Sequence, residues 1–142
     1  MTDKRVTPTL IEQEHTEIEQ ITRTLYRELA ERTVPRARVL DLLAMLYQRV
    51  AGHFEDELAS GFLGRETQGN DELNQKRQTL CKDHQELLLR FDRVVRLAEE
   101  GTVQPEWWNE LERQFHALSF EVINHENRKQ ALLDEAIVQA NM

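Results

Sequence analysis

The chain has 142 residues, a length that suits one domain built on a single core. Apolar residues make up 39% and charged residues 31%, with only 5 glycines and 3 prolines, which is too apolar for a disordered chain and too poor in turn residues for a β-sandwich. A formal charge of −8 excludes the basic footprint that non-specific nucleic-acid binding needs, and the single cysteine, Cys81, excludes an internal disulfide or a thiolate metal cluster.

No apolar run approaches the roughly 20 residues that span a bilayer. The N-terminal MTDKRVTPTL carries no hydrophobic segment of signal-peptide type. The expectation is a soluble, cytoplasmic, single-domain protein over 1–142, with neither a membrane nor a nucleic-acid partner. Helix breakers fall at Pro8, at Pro35, between Gly61 and Gly69, and between Gly101 and Pro105. The stretches between them are rich in Leu, Glu, Gln, Arg and Ala, and they predict four helices at about 9–32, 35–60, 71–100 and 105–139.

The first helix places Ile11, His15, Ile18, Leu25 and Leu29 on one face. The second places Val39, Leu43, Leu46 and Val50 there, followed by His53 and Glu57. The connection GFLGRETQGN is long enough to fold over one end. The third helix carries Leu73, Leu80, His84, Leu87, Phe91, Val94 and Ala98. The fourth carries Trp108, Leu111, Phe115, Leu118, Val122, His125, Lys129, Leu132 and Ala136. Steps of three and four residues mark the inward seam of a bundled helix, and short connections favour antiparallel neighbours. The fold class read from this is all-α, an antiparallel up-down-up-down four-helix bundle.

Each seam is interrupted by groups that are costly in a core unless they are paired. Four of the five histidines, His15, His53, His84 and His125, lie inward, one per helix. His116 precedes His125 by nine residues, half a turn round, and faces outward. In the up-down arrangement the four inward histidines share one half of the bundle, as two pairs offset by roughly 10 Å along the axis at 1.5 Å per residue. His53 and Glu57 stack on one face at a spacing of four. Imidazoles and a carboxylate converging in a bundle core suit iron, manganese or zinc. Hydrogen bonding of each histidine to its own neighbours is the plainer alternative.

The ordered set EQEH (ending at His15), HFEDE (His53, Glu57), CKDHQELL (His84) and NHENRK (His125) resembles the hemerythrin-like, or HHE cation-binding, domain family over nearly the whole chain. The resemblance implies a four-helix bundle with a non-haem di-iron site. His15, His53, Glu57, His84 and His125 would be ligands to one or two irons. The protein would bind or sense dioxygen, nitric oxide or iron, and a small diatomic ligand would be its partner. Two positions depart from the family pattern. The second helix-three histidine of the oxygen carriers is replaced by Leu80 or Leu88, and Lys129 and Gln130 stand where the second bridging carboxylate is expected. Either Lys129 pairs with Glu57 and replaces the charge of one ion, or it snorkels outward and Glu126, Glu121 or Glu14 supplies the missing oxygen, with Glu121 the better stacked. Leu80, Leu87, Leu88 and Val122 are the expected apolar walls.

The competing reading is a metal-free interaction or regulatory module, acting through a homo-oligomer or a protein partner. An iron-dependent enzyme, such as an oxidase or an iron-cluster repair protein, ranks below both. No glycine-rich phosphate loop, nucleophile elbow or serine triad is present, and no catalytic residue is nominated. Cys81 reads as a small buried hydrophobe, Trp108 as core, and Trp107 as a loop or subunit-contact residue.

Overall fold

The computed structural model describes residues 8–142. The segment 1–7, which carries most of the N-terminal stretch read above for a signal peptide, lies outside the described residues. Five helices account for the described secondary structure: α1 (Pro8–Glu31), α2 (Arg36–Ser60), α3 (Phe62–Glu66), α4 (Asp71–Glu99) and α5 (Pro105–Ala140). The four long ones begin and end within one residue of the bounds expected from sequence. The short α3 was expected to be part of a loop. It packs against α2, α4 and α5 and so covers the end of the structure, as the length of that connection allows.

Local chemistry sets the helix ends. Gly61 stops α2 in the left-handed conformation at φ 63°, and its N–H donates to the Leu58 carbonyl. The Asn70 side chain accepts from the Leu73 N–H at 3.0 Å and starts α4. Pro105 opens α5, where its missing N–H is no loss. After α1, Arg32 takes a left-handed φ of 58°, unusual outside glycine. Its guanidinium donates to Asn109 Oδ1 at 2.6 Å and ties this turn to α5.

The four long helices adjoin in a ring, α1 on α2, α2 on α4, α4 on α5 and α5 on α1. Arg36 at the start of α2 donates to the Glu99 and Glu100 carbonyls at the end of α4, at 3.4 and 3.3 Å. Asn70 at the start of α4 donates to Gln139 near the end of α5 at 2.5 Å. The inward residues form two apolar clusters. The larger one holds Leu25, Leu29, Val39, Leu43, Leu46, Val50, Phe54, Leu87, Phe91, Phe115 and Leu118 among others, and the smaller one holds Leu73, Leu80, Leu132 and Ala136. Trp107 corrects its sequence reading. It is buried with Trp108, edge-to-face at 4.8 Å, and Arg36 covers its ring at 5.3 Å. No described helix is long and apolar enough to cross a membrane.

Candidate metal centre

The two clusters are separated by a polar layer. On α4 it falls at His84, between Leu80 of the smaller cluster and Leu87 of the larger. On α5 it falls at His125 and Lys129, between Leu118 and Leu132. His53 is 1% exposed and His125 0%, and His84 and Lys129 are also buried. The same three-and-four spacing that packs leucine on either side therefore holds these groups inside. His15 differs: its side chain stays 47% exposed, and only its tip reaches inward.

The five nominated residues form two groups. In the first, His15 Nε2 lies 2.9 Å from His53 Nε2 and 3.2 Å from Glu126 Oε2. His53 Nε2 also lies 2.5 Å from Glu57 Oε1 and 3.6 Å from Glu126 Oε1. Behind it, His53 Nδ1 faces Glu14 Oε1 at 3.5 Å. His53 Nε2 thus meets an imidazole nitrogen and two carboxylates with one hydrogen to give. Lys129 Nζ donates to Glu57 and, at 2.6 Å, to Glu126, and it sits 5.4 Å over the Phe54 ring. Of the two readings of Lys129 left open by the sequence, the inward ion pair with Glu57 is the one observed.

In the second group, His84 stacks on Phe54 with centroids 4.0 Å apart, and His125 meets His84 edge-on at 4.9 Å. Neither ring nitrogen of His84 or His125 has a hydrogen-bond partner. Asp83 Oδ2 approaches His125 Nδ1 at 3.9 Å but is engaged by Arg128 at 3.0 Å. Phe54 and the Glu57–Lys129 pair lie between the two groups.

The electrostatics follow from this placement. Burial works to lower the His53 pKa, but hydrogen bonds to Glu126 and Glu57 outweigh it and raise it to about 9. Burial also opposes ionisation of Glu57 and Glu126, yet both sit below the ordinary carboxylate value, held there by their histidine neighbours and Lys129. Burial, reinforced by the Lys129 charge, lowers His84 and His125 to about 4. Glu14 is raised by burial and by its hydrogen bond to Asp56. Two carboxylates therefore face two cations, Lys129 and protonated His53, and the layer is close to neutral at pH 7.

Sequence reasoning weighed Glu126 below Glu121, and the structure reverses that order. Glu126 points about 100° away from His125, which carries it toward α1, where His15 lies. Glu121 is drawn to Arg90 of α4, at 3.5 Å. The clue was available: α5 adjoins α1 as well as α4, so a residue off the main seam can still face inward. His15, His53 and Glu126 each bring one donor atom to within 4.8 Å of the others. Adjacent ligands around an ion at about 2.1 Å lie about 3 Å apart, close to the 2.9 and 3.2 Å seen here. This trio fits a divalent ion. Glu57 reaches His53 but is held by Lys129, while His84 and His125 offer bare nitrogens without a carboxylate of their own.

A cavity of about 420 Å³ opens onto the trio. Of the expected apolar walls, Val122 lines it, Leu80 lines a smaller cavity beside His84, Leu87 packs in the larger cluster and Leu88 packs against it. His116 is exposed and lies against Tyr26, as its spacing predicts. In comparisons with known proteins, no family model matches the chain, and no curated protein and no solved structure matches it.

Proposed function

We propose that the chain is an antiparallel up-down-up-down bundle of hemerythrin-like type that binds non-haem iron in its core and, through it, binds or senses dioxygen, nitric oxide or iron itself. The contacts of Arg36 with the α4 end and of Asn70 with the α5 end support the antiparallel order. The observation that carries the metal reading is the convergence of His15, His53 and Glu126 on one point. Imidazole and carboxylate donors together suit iron, manganese or zinc. Iron held there would offer an open coordination position to a small ligand.

The residues of the chain do the rest. Glu14 Oε1 stands 3.5 Å from His53 Nδ1, on the opposite side of the ring from the Nε2 that faces His15 and Glu126. Lys129 sets one positive charge against the two carboxylates Glu57 and Glu126, which leaves charge for one ion rather than two. Iron stoichiometry on protein produced with iron supplied tests this reading. About one ion per chain is expected, and none after anaerobic loading would overturn it.

The second reading, a metal-free module, is favoured by one observation, the charge closure of Glu57 and Glu126 by Lys129 and protonated His53. Function would then lie on a surface or at a contact between copies. An ion-free protein with full stability at neutral pH is what that reading expects.

A further inference from the structure

The cavity beside the trio is larger than any diatomic ligand requires. At about 420 Å³ it exceeds the share of one water, about 30 Å³, by more than tenfold, and it falls within the 300–1,000 Å³ typical of small-molecule pockets. It follows the seam between α1 and α5, the least closely packed of the adjoining long helices. Its walls are Leu46, Val50, Phe91, Leu118 and Val122, with the half-exposed Ile123 among its lining residues. Its titratable groups gather at the His15, His53 and Glu126 end and along one side, where Glu19 and Arg23 neutralise one another at 2.5 Å.

We infer that this cavity is a binding site for a neutral, largely apolar organic molecule of fused-ring or short-chain size, carrying one hydrogen-bonding group directed toward His15 and Glu126. The apolar walls supply the affinity, since apolar surface removed from water favours binding in proportion to its area. The cancelled charges of Glu19 and Arg23 favour neither an anion nor a cation. The site needs no metal, so it stands or falls separately from the iron reading.

The test is a fluorescence titration of chelator-treated protein with N-phenyl-1-naphthylamine, a neutral apolar dye. Saturable, blue-shifted binding at one dye per chain is expected. Val122→Phe fills the cavity and Ile123→Glu places a charge on its lining; each should weaken binding by about tenfold or more. Phe120→Glu removes an exposed apolar side chain of α5 that does not line the cavity, and it should leave binding unchanged. If circular dichroism shows Val122→Phe to be unfolded, Ile123→Glu decides alone. Absence of saturable binding, retention of full affinity in Ile123→Glu, or equal weakening by Phe120→Glu would each overturn the assignment.

Discussion

Replacing Lys129 by glutamine keeps a polar, hydrogen-bonding side chain, one atom shorter, and removes the charge. In the metal-free protein this leaves Glu57 and Glu126 facing one cation, protonated His53, in place of two. Breaking a buried ion pair in this way costs about 3–5 kcal/mol. Glu126 is 27% exposed and can partly rehydrate, so the lower end, about 3 kcal/mol, applies. At about 2.1 cal/mol/K of unfolding entropy per residue, 142 residues give about 0.3 kcal/mol/K, and the melting temperature falls by about 10 °C. A divalent ion that takes over the charge should reverse the loss. At 100 times its Kd it stabilises by about 2.7 kcal/mol, which is nearly the whole deficit. Differential scanning calorimetry of wild type and Lys129→Gln, each with chelator and with saturating Fe(II) or Co(II), reads all four states. The variant should melt about 10 °C lower without metal, and metal should raise its melting temperature by more than it raises that of the wild type. Equal stability of the two chelated proteins, or an equal metal-induced rise in both, would refute the role given to Lys129.

Further outcomes follow from the same layer. With His53 raised to about 9, an ion must displace its proton, so affinity should rise about tenfold per pH unit between pH 6.5 and 8.5; a Co(II) competition titration with a flat profile would contradict this. In chelated protein, the contribution of His53 is complete below its unfolded value of 6.5 and is lost as pH rises through about 9. His84 and His125, lowered to about 4, act oppositely. The unfolded chain binds their protons first, so stability falls as pH drops from about 6.5 to about 4, by at most about 3 kcal/mol per histidine. Denaturant unfolding across pH 4–9.5 should therefore peak between these limits, and a curve rising steadily to pH 9.5 would remove the His53 part. Lys129→Glu restores an anion beside His84 and His125, and metal stoichiometry should rise from about one toward two per chain. No change on elemental analysis would mean that the Lys129 charge is not what limits the second ion.

The helices were legible because three-and-four spacing survives over long stretches and the few breakers lie between them. The α4 seam from Leu73 to Ala98 is buried at every position read as inward. The grouping of His15 with His53, and of His84 with His125, was also legible, since it needs only helix register and an up-down order. Three details depend on packing that register does not specify. Glu126 reaches the trio because α5 faces α1, which no single-helix pattern encodes. Lys129 folds inward because two carboxylates meet it, whereas its long stem alone allowed either direction. Trp107 is buried because Arg36, distant in sequence, covers it.

The most direct measurement is metal content per chain, by elemental analysis of untagged protein produced with iron supplied, alongside His53→Ala prepared identically. The account predicts about one iron in the wild type and none in the variant, because His53 is the member of the trio that His15, Glu57 and Glu126 all meet. Equal metal content in the two proteins, or no metal in the wild type after anaerobic loading, would contradict it.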